Sequence, residues 1–203
     1  MMQTLRFTLL AGALALPAAV PATAQVRVSA SVGVTGSTAL VKDEIIQVIE
    51  VKPALAPTLY ASASLPIGQK LRASLDLSYG TSTANITADG TDAGNAGSLG
   101  AFTAAAALVG EISSWLSWRV SLGVLQYSPS EKQGIFQDGV PAALLFGAGL
   151  DYRHPLSKQW DAVLGLRYDY HKFTTSALEA AGFSGSQQVS RLGLALGAEW
   201  MHP

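Results

Sequence analysis

The sequence predicts an all-β fold, an eight-stranded antiparallel up-and-down transmembrane β-barrel. Apolar and polar residues alternate with a period of two, and this rhythm recurs about eight times between residue 26 and the C-terminus. Long and short connecting segments alternate along the chain. Only 13% of residues are charged, against about 25% in soluble domains, and the apolar residues are dispersed. These observations together predict a surface that does not face water.

The first residues predict a signal peptide. Arg6 precedes an almost unbroken apolar run over 7–20, and small residues follow it, so cleavage is expected between Ala24 and Gln25. The predicted boundaries are therefore a signal peptide at 1–24 and an outer-membrane barrel domain at 25–203. No later stretch approaches the roughly 20 apolar residues of a spanning helix, which excludes a helical membrane protein.

The alternation defines the strands in order. We place them at 26–35, 49–65, 70–80, 99–112, 117–127, 142–153, 160–172 and 189–201. Long polar connections follow at 36–48, 81–98, 128–141 and 173–188, and short ones at 66–69, 113–116 and 154–159. Short periplasmic turns opposite long external loops are typical of an outer-membrane barrel. Both termini then lie on the periplasmic side.

One face of each strand is apolar. The proposed outward positions carry no charge and include Val28, Ala30, Val32, Val34, Leu71, Ala73, Leu75, Leu77, Val120, Leu122, Val124, Phe146, Ala148, Leu150, Ala162, Leu164 and Leu166. In the terminal strand the apolar positions are Leu192, Leu194, Leu196, Ala198 and Trp200.

The opposite face is charged. Its positions hold Lys70 and a predicted interior network of Arg27, Arg72, Asp76, Glu111, Arg119, Asp151, Arg153, Asp161, Arg167, Asp169, Arg191 and Glu199. Acidic and basic groups nearly balance, so they can pair across a narrow lumen. Small residues leave room for the long arginines, namely Gly147, Gly149, Gly165, Gly193 and Gly197.

Aromatic residues cluster at both strand ends, as a membrane girdle requires. The predicted girdle comprises Trp118, Trp160, Trp200, Tyr79, Tyr152, Tyr168 and Tyr170. Trp115 joins it at the periplasmic end and Tyr127 at the opposite end, with Phe102 nearby. A soluble, exported lipocalin-like binding barrel shows the same alternation with the faces reversed, and it stays as an alternative. The aromatic positions favour the membrane barrel.

The second strand carries two prolines, which remove ladder hydrogen bonds. We expect Pro53 to lie above the bilayer, whereas Pro57 marks a bulge or shows that the strand begins later. The hydrophobic segment 43–52 is either a strand extension beyond the membrane, which we favour, or an amphipathic surface helix.

The terminal strand, Arg191-Leu-Gly-Leu-Ala-Leu-Gly-Ala-Glu-Trp200, looks like the C-terminal signal read by the barrel-assembly machinery. With the signal peptide, strand count and loop asymmetry, the chain resembles over residues 26–201 the small outer-membrane barrels of the OmpA transmembrane domain, OmpX and opacity-protein type. One departure is that three residues follow Trp200. The resemblance implies a Gram-negative outer-membrane location, lipid and lipopolysaccharide as surroundings, and a role in adhesion, envelope integrity or surface interaction.

Several function classes find little support. The net charge is −1, so nucleic acid is not an expected partner. The three histidines, His154, His171 and His202, are scattered, and neither a metal site nor a cofactor is predicted.

Catalysis on lipid A, which some eight-stranded barrels perform, has only His171, Ser176 and Glu179 as candidates. Their spacing fits no catalytic pattern and His171 points inward, so no catalytic residue is predicted.

A charged lumen predicts little solute conductance, while a lateral route for small hydrophobic molecules stays open as an alternative. The expected role is structural or surface-interacting, through four long loops whose ligand the sequence does not specify.

Overall fold

The structure is a computed structural model, which describes residues 25–43, 48–132, 134–180 and 186–202. The predicted signal peptide at 1–24 lies outside the described residues. Within them the chain forms β1 (Arg27–Ser37), β2 (Val41–Asp43), β3 (Ile49–Pro53), β4 (Ala56–Pro66), β5 (Leu71–Ala88), β6 (Thr91–Glu111), β7 (Leu116–Pro129), β8 (Ala143–Pro155), β9 (Trp160–Phe173) and β10 (Gln187–Met201). A 3₁₀ turn at Gly134–Phe136 and a short helix, α1 (Ser176–Ala180), complete these ranges.

Eight of these strands close into a barrel. The ring runs β1, β4, β5, β6, β7, β8, β9 and β10, every neighbour is antiparallel, and the ladder between β10 and β1 closes it. A closed ring pairs its backbone N–H and C=O groups within the wall, as a lipid environment requires. The predicted fold class is confirmed.

The two ends of the barrel differ. Tight turns at 67–70, 112–115 and 156–159 join strands at one end, where Gln25 and His202 also lie. We call this the turn end and the opposite one the loop end. The longer connections all lie at the loop end, as the alternation of segment lengths predicts. Lys70 belongs to a turn and is exposed, so its predicted inward position was wrong.

The predicted strand at 49–65 is two strands. It breaks at Ala54-Leu55, where β3 leaves the ring to pair with β5 and with β2, and β4 begins at Ala56. Pro53 and Pro57 flank the break because neither has an N–H to donate to a ladder. The strand therefore begins later than predicted, and residues 49–52 of the hydrophobic segment are strand rather than helix.

The segment 81–98, predicted as a loop, is a β-hairpin. Strands β5 and β6 continue to a two-residue turn at Asp89-Gly90, with φ of +49° and +76°, as a type I′ turn requires. With β2 and β3 they form a four-stranded extension at the loop end. The Asp-Gly pair was the signal for this turn, whereas the Gly-, Asn- and Asp-rich composition favoured a loop.

Candidate functional site

The outer wall carries a continuous apolar band. The predicted outward side chains lie outside, with Val32 62% and Leu196 61% exposed, and the charged side chains of the predicted interior network lie inside. Lipocalin-like barrels have the reverse arrangement, so that alternative was wrong. Exposed apolar surface of this extent is typical of a membrane-spanning barrel.

The aromatic residues lie near both ends of the band. At the turn end Tyr152 and Trp160 are exposed, while Trp118 and Trp200 are half-buried. At the loop end Tyr79 and Tyr168 are exposed and Tyr170 is half-buried. Two rings at the membrane interfaces are the role that this placement supports.

Tyr127 does not belong to the outer surface. It is 4% exposed and lies inside the barrel. Because Val120 and Val124 on the same strand face outward, the odd-numbered positions of β7 face the lumen. Its predicted place among the girdle residues was wrong.

A first group of ions fills the lumen at the turn end. Glu199 accepts from Arg153, Nε to Oε1 at 2.9 Å, and lies 3.8 Å from Arg27, whose Nη2 is 3.3 Å from Glu111 Oε1. Arg72 instead donates to Ser64 and to the backbone oxygen of Gln25. These residues lie on β1, β4, β5, β6, β8 and β10, so the group spans most of the ring.

A second group lies nearer the middle of the lumen. Asp151 is 1% exposed and binds two arginines, Arg119 Nη2 at 3.1 Å and Arg167 Nη2 at 2.6 Å. Arg119 also pairs with Asp76, whose other oxygen accepts from Ser74 Oγ at 2.7 Å. The carboxylate of Asp151 thus joins β7, β8 and β9.

Glycines beside these arginines provide the space. A Cβ at Gly149 would lie 3.1 Å from Arg119 Cγ, and one at Gly165 would lie 3.0 Å from Arg167 Nη1. Beside the second group a cavity of about 50 Å³ is lined by hydroxyl groups and by Asp76, Arg119, Arg167 and Asp169, which is room for a few waters.

Three members of the predicted interior network stand apart. Asp161, Asp169 and Arg191 face the lumen, but within the described ranges none has an ion pair at 4.0 Å or less. Of the other nine, eight are joined by ion pairs in the two groups described above, and Arg72 is held by Ser64 and the Gln25 backbone instead.

The loop end of the lumen is filled by an apolar plug that sequence analysis missed. Phe136 from the 3₁₀ turn and Leu178 from α1 fold into the mouth, where Phe136 meets Phe173 edge to face at 6.4 Å. The plug comprises Leu40, Val41, Val51, Ala84, Leu99, Leu125, Tyr127, Phe136, Leu145, Phe173, Leu178 and Val189. Through Phe136 and Leu178, the connection between β7 and β8 and the connection between β9 and β10 therefore close the loop end of the barrel.

The three catalytic candidates are not brought together. His171 is 1% exposed within the barrel, where its Nε2 lies 3.2 Å from the Tyr127 hydroxyl. Ser176 and Glu179 are exposed on α1. Among the described residues no cluster of three acidic, histidine or cysteine side chains is suited to a metal ion, and no helix is long and apolar enough to cross a membrane.

Comparison with known proteins identifies the fold. No family model matches the chain, and no curated protein matches it. The crystal structure of Neisserial surface protein A (NspA) matches with a TM-score of 0.54 at 14% identity, covering 86% of this chain and 96% of that one. Outer membrane protein AlkL, solved in lipid bilayers, matches at 0.57 and 14% identity, covering 88% and 90%. The resemblance to small eight-stranded outer-membrane barrels is thus confirmed for the fold.

Proposed function

We propose that the chain is a structural and surface-interacting barrel of a bacterial outer membrane, with its turn end in the periplasm. The observation that carries the proposal is the double closure of the lumen. Ion groups fill the turn-end half, and the apolar plug fills the loop-end half. A barrel closed in both halves offers its loop end, rather than a pore, for function.

The loop end supports an interaction role. The four-stranded extension formed by β2, β3, β5 and β6 carries exposed Asp92, Asn95 and Thr91 at its tip. The free edge of β6 is interrupted because Asp92 and Asn95 accept hydrogen bonds from the N–H groups of Gly94 and Gly97, at 2.8 and 3.1 Å. An edge blunted in this way resists pairing with other copies, which favours recognition through side chains.

An outer-membrane location would determine what each part of the barrel contacts. The apolar band would contact lipid, the loop end would face lipopolysaccharide, and the terminal strand would be read by the barrel-assembly machinery. We also propose that the chain is not an enzyme, because the candidate side chains are separated. Mass spectrometry of lipid A from cells with and without the protein should give the same spectrum, and a modified lipid A would contradict this.

Loop replacement tests the interaction role. In one variant residues 84–95 are replaced by a two-residue Asp-Gly turn, and in others the connections 38–55, 130–142 and 174–186 are shortened in turn. Adhesion of bacteria displaying each variant to a cultured epithelial layer is compared at equal surface amounts. Reduced adhesion in at least one variant is expected, whereas unchanged adhesion in all four would leave a scaffold role only.

Conductance tests the closed lumen independently. The full barrel in planar bilayers should show no large, stable openings. The matched variant Phe136→Ala opens the plug but leaves the ion groups in place, so it too should stay closed. Large openings of the unaltered protein would contradict a closed lumen.

A further inference from the structure

The three tight turns at the turn end share one construction. Each begins with an aliphatic residue, and these residues are Ile67, Ile112 and Leu156. At 2.9–3.0 Å, the N–H of each donates to the carbonyl oxygen of the first strand residue after its turn, which is Leu71, Leu116 or Trp160 respectively. The three aliphatic residues therefore hold the same position in three separate hairpins.

These aliphatic side chains lie on the outer side of the barrel. Each continues the outward row of the strand before it, as Ile67 does for the row of β4 that contains Leu59. The three side chains are 57–63% exposed. They extend the apolar band of the wall to the tips of the turns.

The length of the band places the turns at the edge of the hydrocarbon layer. On β7 the outward apolar positions run from Leu116 to Val124, and the next outward position is Gln126. A strand that crosses a bilayer needs about 9–11 residues, so this row reaches across only if it begins at the turn itself. Ile112, which is bonded to Leu116 across the turn, then lies at the boundary between acyl chains and headgroups.

The exposed charge of the turns is positive. Lys70 and Lys158 lie within two of the turns and are exposed. In the described part of the chain the acids nearest this end are Glu111, which is half-buried in an ion pair, and the buried Asp161 and Glu199. The turns therefore complement an anionic surface.

We propose that the turn end is a docking surface for anionic glycerophospholipids of the leaflet that surrounds it. Ile67, Ile112 and Leu156 enter the outer part of the acyl layer. Lys70 and Lys158 donate to phosphate oxygens, with their stems along the apolar surface. A bilayer fits better than a soluble partner because the aliphatic tips continue the apolar band. The inference rests on the proposed membrane-embedded barrel and adds the lipid class that its turn end selects.

The tryptophans provide a probe of this end alone. The chain has four, and all lie at the turn end, at Trp115, Trp118, Trp160 and Trp200. The full barrel is reconstituted in phosphatidylcholine vesicles that contain a fixed fraction of acyl-brominated phosphatidylglycerol or acyl-brominated phosphatidylcholine. Because bromine quenches tryptophan on contact, brominated phosphatidylglycerol should give an association constant about fivefold larger. High salt should remove most of this preference.

Lysine variants assign the preference to the turns. In the double variant Lys70→Gln/Lys158→Gln the two brominated lipids should quench equally. Lys52→Gln/Lys172→Gln removes two exposed lysines at the loop end and is the matched control, which should keep the full preference. All four side chains are exposed, so both double variants are expected to fold.

Nitroxide labels test whether the tips of the turns enter the bilayer. Single labelled cysteines replace Ile112 and Leu156, and Gln137, which is exposed at the loop end, is the water-facing control. The two labels at the turns should collide more with oxygen than with a water-soluble nickel chelate, and the label at residue 137 should show the reverse.

Three results would overturn the proposal. One is equal quenching of the unaltered protein by the two brominated lipids, and another is an undiminished preference in Lys70→Gln/Lys158→Gln. The third is turn labels as open to the chelate as the label at residue 137, which would place the turns in water, where a soluble partner could cover them. None of these results changes the expected adhesion or conductance, so failure of this inference is distinguishable from failure of the proposed function.

Discussion

Arg119 on β7 extends past Gly149 to reach Asp151 on β8, with its Nη2 3.1 Å from Asp151 Oδ2. The residue directly opposite Arg119 is Gly149, and the absent side chain leaves the arginine stem its path. Asp151 then also binds Arg167 of β9. One carboxylate therefore fixes three strands from within the lumen.

Removing this carboxylate should destabilise the barrel strongly. In Asp151→Asn the buried Arg119 and the half-buried Arg167 lose their shared anion, and breaking a buried ion group in this way costs about 3–5 kcal/mol. Urea unfolding in lipid vesicles measures the loss. Asp161→Asn, on the neighbouring strand and similarly buried, is the control and should change the unfolding free energy by about 1 kcal/mol or less. Equal losses in the two variants would contradict a central role for Asp151.

Filling the space at Gly149 should also destabilise the barrel, but with a smaller loss of unfolding free energy than Asp151→Asn. A Cβ there would lie 2.6 Å from Leu166 O as well as near Arg119, so Gly149→Val is expected to cost about 1–3 kcal/mol by overpacking. The adjacent Ala148→Val points outward and should stay within about 0.5 kcal/mol. The same urea series compares them, and an Ala148→Val loss as large as that of Gly149→Val would remove the steric explanation.

The inward and outward faces of the ring strands could be predicted from sequence, because side chains alternate between the two faces with a period of two along each strand. On β10, Leu192, Leu194 and Leu196 are exposed while Arg191 and Glu199 are buried, as the alternation indicates. The hairpin part of the extension, at 81–98, was not predicted, since its composition is rich in Gly, Asn and Thr, whereas the strand extension favoured for 43–52 is present at 49–52. The apolar plug was missed for a different reason: Phe136 and Leu178 lie in non-periodic connections, and only tertiary packing brings them to Phe173.

The features of the candidate site also differ in how far the sequence predicts them. The ion groups follow from which residues face inward, and the balance of charge indicates that they pair. The break in the wall after Pro53 depends on β3 leaving the ring to pair with β5, which Pro53 and Pro57 mark but do not determine.

The plug should open locally without loss of the barrel. Phe136→Ala removes a fully buried ring that packs in the apolar plug at the loop end, so the unfolding of a small unit is favoured over global unfolding. Limited proteolysis within 130–142 should become faster, while the urea midpoint stays close to that of the unaltered protein. Gln137→Ala, at an exposed neighbour, should leave proteolysis unchanged. A large drop in the urea midpoint of Phe136→Ala would instead make the plug part of the barrel core.

The hairpin turn at Asp89-Gly90 should affect the local stability of the extension and leave that of the ring unchanged. Gly90 has φ of +76°, and a β-branched residue in this left-handed region costs about 1–2 kcal/mol. In Gly90→Val, hydrogen exchange at the amides of 84–88 should rise about tenfold, with no change over 101–109. Thr91→Ala tests whether the effect requires positive φ and should leave both ranges unchanged. Faster exchange over 101–109 would show that the extension and the ring unfold together.

The orientation of the wall is tested most directly by nitroxide labels at single cysteines, since the native chain has no cysteine. Labels replace Leu164 and Leu194, which face outward, or Val163 and Ala195, which face the lumen. In vesicles the outward pair should collide freely with oxygen and scarcely with a water-soluble nickel chelate, whereas the inward pair should be shielded from oxygen. The reverse pattern, with outward labels open to the chelate, would contradict a barrel whose leucines contact lipid and whose arginines lie within.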